Sequence, residues 1–233
     1  STIYLLNSFA LDKPFGHGGE RRESQIKEIL EGNSIEFIDL NTAAIIKFPR
    51  SVCGNILFQI QALPIILQLF KHYLPYIIRF KIRYLLTNIK LAKHYKIRFV
   101  KNLKREDIVL WENVSPDFFF LPLLIKKKGV KVIGIPHNIE SLVPSQYDVT
   151  AKELFDTYKS EIKTLSELDH VFVLSREEQW LLNLFKIKCS YLPYIPPLAI
   201  RNHYNMLRNM RETKHAKGEN DIIQILIIGT AQN

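Results

Sequence analysis

Short apolar runs recur along the chain, separated by turn residues or by helix signals. Thr2 to Asn7 is a predicted strand, followed by a loop over Ser8–Gly19 and a polar helix from about Glu20 to Glu31. Gly32-Asn33 is expected to stop that helix in the usual C-terminal manner, and Ile35 to Asp39 is the second strand. Asp107 to Glu112 is the next strand. Ser115-Pro116 then carries the signature of a helix start, Ser as N-cap and Pro at the first helical position, with Gly129 closing that helix. Val130 to Ile135 is a run of β-branched apolar residues interrupted only by Lys131 and Gly134, the pattern of a strand covered on both faces.

Two capping boxes follow. Thr150 with Glu153 opens a helix whose apolar positions Leu154, Tyr158, Ile162, Leu165 and Leu168 recur at spacings of three and four. Ser175 with Glu178 opens another, carrying Trp180, Leu181, Leu182 and Leu184. Between them lies a strand over His170–Leu174, and further strands are predicted at Cys189–Tyr194 and Ile222–Ile228. Strands alternating with helices imply a parallel sheet, so the expected fold class is α/β, a Rossmann-like doubly wound sheet. The expected organisation is one domain over 1–221, with 222–233 as the last strand and the start of a further domain. That strand ends at Gly229 with no helix after it and the chain opens without Met, so the natural protein is expected to be processed or longer.

Composition sharpens this picture. At 233 residues with 47% hydrophobic residues, the chain can bury roughly 70% of its unfolded surface. Collagen-like, disordered and disulfide-built classes are excluded. Cys53 and Cys189 form at most one bridge and read as buried thiols of a reducing compartment. No secretory signal opens the chain, so the expected location is cytoplasmic.

The formal charge of +9 is concentrated in one place. From Leu40 to Arg105 there is no Asp or Glu, against 13 Lys and Arg, while the rest of the chain is net acidic. The stretch 47–105 therefore reads as a basic helical insertion. Its uncharged run Ser51–Phe70 reaches the 20 residues of a membrane span, but Asn55, Gln59, Gln61, Pro64 and Gln68 argue against spanning. Two readings stay open: amphipathic helices packed on the domain with a solvated basic face, or an interfacial element resting on anionic headgroups at the inner face of the membrane. Nucleic acid is disfavoured, because no recognition motif accompanies the charge.

In a doubly wound sheet, ligands bind beyond the carboxyl ends of the strands. The loops expected to matter are Ser8–Gly19, Asn113–Ser115, His137–Ser141, Ser175–Arg176 and Gly229 onward. Gly16-His17-Gly18-Gly19 lies directly before a helix, where backbone can approach a ligand and free N–H groups face an anion. It is not the dinucleotide fingerprint. Pro136-His137-Asn138-Ile139-Glu140-Ser141 follows the most buried strand, and His137 there suits proton traffic or a hydrogen bond to a sugar hydroxyl. The other histidines show no ligand spacing, no zinc pattern exists, and neither Ser nor Cys sits in a nucleophile elbow. No metal and no cofactor are expected.

Taken together, the strand–Gly18-Gly19–helix opening, Val132–Asn138, Asp169–Ser175, Tyr191–Pro196 and Ile225–Gly229 resemble the N-terminal half of a GT-B glycosyltransferase. They are most similar to the large family-four group of retaining enzymes. The resemblance covers all of the chain except the basic insertion. It implies one lobe of a two-lobed enzyme, with this lobe binding the acceptor and the other the nucleotide-sugar donor. By that resemblance Gly18 and Gly19 lie beside the donor phosphates and His137 is the catalytic-site histidine that reaches the transferred sugar. Asn138, Glu140 and Ser175 are expected on the substrate side, and Gly229 opens the donor domain. The expected activity is hexosyl transfer from a nucleotide sugar to a glycan or lipid-linked acceptor, with little turnover without the second lobe. The alternative is a non-catalytic Rossmann-like module that binds an anionic membrane surface or an acidic partner.

Overall fold

A computed structural model describes residues 1–7, 18–45, 60, 63–64, 67, 91–112, 114, 118, 120–143 and 150–216. Six strands, β1 (Ile3–Asn7), β2 (Phe37–Asn41), β3 (Ile108–Trp111), β4 (Lys131–Gly134), β5 (His170–Val173) and β6 (Cys189–Tyr191), form one sheet in the order β2-β1-β3-β4-β5-β6. All five pairings are parallel. The helices are α1 (Gly18–Gly32), α2 (Thr42–Ile45), α3 (Leu121–Lys126), α4 (Ala151–Ser166), α5 (Arg176–Leu184) and α6 (Leu198–Ala216). A further helical stretch covers 91–98 and runs into a 3-10 turn at Val100–Asn102. The expected α/β, Rossmann-like parallel sheet is what the chain forms.

Side-chain alternation along the strands builds two cores, as a sheet buried on both faces requires. Leu5, Leu110 and Ile135 turn toward Ile26 and Leu30 of α1. Leu6, Val109, Trp111, Val132, Val171 and Val173 turn the other way. There they meet Tyr95 and Phe99, Leu121 and Leu124 of α3, Ile162 and Leu165 of α4, and Leu182 of α5. Tyr95 stands edge-on to Phe99, Phe118 and Phe120, with ring centroids 5.6–6.4 Å apart, which locks the 91–98 helix onto this second face. Gly134 has a packing reason: a Cβ there would stand 2.5 Å from Leu168 Cδ1, so the α4–β5 connection closes directly over β4.

Two boundaries differ from the sequence reading for one shared reason. Gly32 stays helical, and Ser34, not Gly32 or Asn33, takes the left-handed conformation (φ 56°). The Ile35 N–H donates to Leu30 O at 2.9 Å and the Ser34 N–H to Glu31 O at 2.9 Å, with Ile35 packed beside Leu30. This is a Schellman closure, and it takes Ile35 away from the second strand. The end of α5 repeats it. Lys186 sits at φ 57°, Ile187 N donates to Leu182 O and Lys186 N to Asn183 O. Both left-handed positions carry a Cβ where glycine is strain-free, so Ser34→Gly and Lys186→Gly are each expected to add about 1 kcal/mol. At this chain length that is a rise of roughly 2–4 °C in Tm. A loss of Tm in either variant would contradict the closure.

The expected Gly129 stop holds: Gly129 has φ 69° and its N–H donates to Lys126 O at 3.0 Å. The helix before it is short, begins after Phe120, and carries Pro122 in its first turn. The expected helix start at Ser115-Pro116 lies outside the described residues. So do the last strand Ile222–Ile228 with Gly229, Cys53, and positions 47–59, 61–62, 65–66 and 68–90 of the basic insertion. Among the described residues no helix is long and apolar enough to cross a membrane.

Candidate functional site

The chain runs from β1 to β2 on one side of β1 and then returns to place β3 on the other side. This reversal opens a crevice beyond the carboxyl ends of β1 and β3, the switch point at which open α/β sheets bind ligands. Asn7 is the last residue of β1. Glu112 follows β3 and extends the ladder by donating its N–H to Leu6 O at 3.1 Å. Both side chains are buried, Asn7 at 0% and Glu112 at 1% exposure.

Helix α1 brings two more buried polar groups to the same place, Arg22 at 1% and Glu23 at 2% exposure. The guanidinium reaches across to the segment after β6. Arg22 Nη2 donates to Leu192 O at 3.0 Å and Nη1 to Pro193 O at 3.4 Å and to Gln25 Oε1 at 2.6 Å. Gln25 Nε2 completes the tie with a 2.8 Å bond to Pro193 O. On the other flank Asn7 Nδ2 donates to Asp39 Oδ1, and Lys27 Nζ stands 4.0 Å from Asp39 Oδ2. Thr42 Oγ1 donates to Asn7 O at 2.9 Å, so the Tyr95 hydroxyl, also at 2.9 Å, must be the donor to Thr42.

The electrostatics follow from this crowding. Burial pushes the Glu112 carboxyl well above the usual range. The neighbouring Glu23 adds to the rise, Arg22 opposes it, and Asp39 adds again. Glu23 is pushed up to about 8, first by burial, then by Asp39 and Glu20, against the pull of Lys27. Arg22 is lowered to about 10 by burial, with Glu112, Glu178 and Tyr194 holding it up. Glu23, at about 8, therefore holds its proton near neutral pH, Glu112 is displaced in the same direction, and Arg22 keeps its charge.

Gly18 and Gly19 are the first residues of α1, not the loop before it, so the helix begins two residues earlier than expected. Gly18 is exposed, and a Cβ there would meet nothing within 4 Å. His17 and Gly16 lie outside the described residues. His137 and Asn138 form the turn after β4, each half-buried, behind the buried Pro136. Ile139 and Ser141 point inward at 0% and 3% exposure. The described backbone of Glu140 opens a 3-10 turn, and its side chain is outside the described residues.

Ser175 caps α5: its Oγ accepts from Glu178 N at 3.0 Å, and Glu178 Oε2 accepts from Ser175 N at 3.3 Å. The other carboxylate oxygen, Glu178 Oε1, accepts from Ile139 N at 2.9 Å. The capping glutamate thus fastens the His137 turn to the end of β5. Its charge also acts on Arg22. On the far side of the same turn, Ser141 donates N–H and Oγ–H to buried Glu161, at 3.0 and 2.5 Å. The sequence-predicted rim at His137, Asn138 and Ser175 is thereby drawn together through Glu178, and Glu178 is linked electrostatically to α1.

Asn7, Arg22, Glu23 and Glu112 are not among the sequence-predicted site residues. Asn7 and Glu112 carry a signal, since each ends an otherwise apolar strand with a polar residue at the ligand edge. Arg22 and Glu23 carry none, because charge on a helix reads as a solvated face. Among the described residues no group of three or more His, Cys, Asp or Glu is placed to hold a metal ion. No protein-family model and no curated protein matches the chain.

Proposed function

We propose that this chain is the acceptor-binding lobe of a glycosyltransferase that moves a sugar from a nucleotide sugar to a glycan or lipid-linked acceptor. The observation that carries the reading is the hydrogen-bonded carboxyl edge. Two hydrogen-bonded groups build it, α1 with the Leu192–Pro193 crossing and the His137 turn with the Ser175–Glu178 cap, and the charge of Glu178 acts on Arg22 between them. An acceptor sugar offers many hydroxyls and little charge, which suits a crevice whose carboxyls are displaced toward the protonated form. His137 stands at the mouth of this edge, half-buried, where an imidazole orients the transferred sugar or relays a proton. In the proposed enzyme a second lobe supplies the groups that neutralise the leaving diphosphate, where charge develops in the transition state.

The test is transfer from radiolabelled nucleotide sugars by the full-length gene product, with His137→Ala beside the parent. Loss of His137 is expected to lower kcat/KM by about 100-fold or more, the usual contribution of a positioned proton-transfer or orienting group. An unchanged rate removes His137 from the site. Absence of transfer from every nucleotide sugar tried removes the reading.

A non-catalytic module that docks on an anionic surface is the second reading, and one observation favours it. Lys96 is lowered by burial and then by Lys128 and Lys127, so basic groups from the 91–98 helix and from the turn after α3 crowd together. Lys128 Nζ also bonds Lys101 O at 3.2 Å. These residues precede β3 and β4, at the edge of the sheet opposite the crevice. Such a face serves a membrane-associated transferase as well as a docking module, and the transfer assay separates the two.

A further inference from the structure

We infer that Glu112 and Asn7 form the subsite that holds the hydroxyls of the acceptor sugar, an assignment that rests on the transferase reading above. A buried polar atom without a partner costs a fold more than its hydrogen bond would return, so native chains rarely keep one. Here several are kept in one place. Both carboxyl oxygens of Glu112, Asn7 Oδ1, Glu23 Oε1 and Arg22 Nε are buried with no hydrogen-bond partner. They come from three separate elements, β1, α1 and the end of β3, and converge at the switch point.

The chemistry of these atoms selects the ligand. Glu23 holds a proton near neutral pH and Glu112 is displaced the same way, so these atoms offer carboxyl O–H and Arg22 Nε–H as donors beside Asn7 Oδ1 and the remaining carboxyl oxygens as acceptors, and the complement is a molecule that both donates and accepts. A vicinal diol meets both demands. A phosphate does not, because it brings chiefly acceptors and leaves Asn7 Oδ1 without a donor. The Asn7 side chain is held by its Nδ2 bond to Asp39 and by the Thr42 bond to its backbone oxygen, leaving Oδ1 buried without a partner. The backbone of Glu112 is likewise held, as part of the ladder.

The experiment uses the 233-residue chain and three probes, methyl α-D-mannopyranoside, methyl β-D-glucopyranoside and methyl β-D-galactopyranoside, followed by saturation-transfer NMR. The parent is expected to bind at least one of them in the millimolar range. Glu112→Gln is expected to weaken that binding at least tenfold while leaving the thermal midpoint equal or higher, since a neutral amide of nearly the same shape replaces a carboxyl whose ionised form burial disfavours. Glu112→Asp, which withdraws the carboxyl by one methylene, is expected to fall between the two. A merely structural glutamate would instead lose midpoint and binding together.

Undiminished binding by Glu112→Gln overturns the assignment, and so does failure of the parent to bind any of the three glycosides. The two proposals fail separately. Glycoside binding that depends on Glu112, with no transfer by the full-length protein, leaves the subsite and removes the enzyme. Transfer whose acceptor KM is unaltered in Glu112→Gln leaves the enzyme and removes the subsite.

Discussion

Replacing Arg22 by methionine is expected to cost about 2–4 kcal/mol of stability, because two buried acceptors lose their donor at about 1–3 kcal/mol each. Methionine nearly matches the arginine in volume, so the loss comes from electrostatics and hydrogen bonds, not from a cavity. Three bonds vanish, to Gln25 Oε1, Leu192 O and Pro193 O, and only the last acceptor keeps another donor, Gln25. The cationic neighbour that restrains Glu112 vanishes with them. In a chain of this size the change corresponds to roughly a 10 °C drop in Tm. Urea unfolding of the parent and of Arg22→Met at pH 7 measures it. A loss below about 1 kcal/mol would mean that the crevice and the Leu192–Pro193 crossing are not joined through this guanidinium.

That expectation depends on contacts no local pattern reveals. The strands are legible because a parallel strand covered on both faces is a plain apolar run, as in Val109–Trp111 and Val132–Ile133. Their ends are less so. Ile35 looks like strand and serves as the hydrophobic clasp of a helix end. The expected strand at β6 continues to Tyr194, whereas the last ladder bond is Leu192 N to Val173 O. Beyond it the carbonyls of Leu192 and Pro193 turn to Arg22 and Gln25. Helix α6 gives no such signal in the sequence. Tyr204, Met206, Leu207 and Met210 on it are all exposed, so its apolar positions do not mark a packed face.

The site divides in the same way. His137, Asn138 and Ser175 follow from the rule that loops at carboxyl ends bind ligands, and that rule needs only the strand positions. Asn7 and Glu112 need the strand order as well, because they are 105 residues apart and meet only where β3 pairs with β1. Pairing order is a long-range property, set by which faces the helices cover. Ser175 shows the converse: its capping role is legible from Ser175 and Glu178, but the second use of Glu178, gripping Ile139 N, is not.

The same crevice sets the pH dependence. Between about pH 5 and pH 8 the stability of the chain is expected to fall. In the unfolded chain Glu23 and Glu112 ionise near the ordinary value of 4.5, whereas in the fold Glu23 holds its proton up to about 8 and Glu112 well above the ordinary range. Over that interval the folded state binds more protons than the unfolded one, so the stabilisation is complete below 4.5 and is lost as pH rises through the folded value. Each such group contributes a slope of at most about 1.4 kcal/mol per pH unit. Asp107 runs the other way. Burial would raise it, but the N–H groups of Lys104 and Thr2 outweigh that and hold it below the usual range, so its contribution is lost only as pH falls past 3.8. Urea midpoints from about pH 4.5 to 8.5 are expected to decline steadily in the parent and to flatten in Glu23→Gln/Glu112→Met. The double variant should be the more stable protein at about pH 8 and close to the parent at about pH 5. A parent whose stability rises over that interval would show that these carboxyls ionise freely in the folded chain.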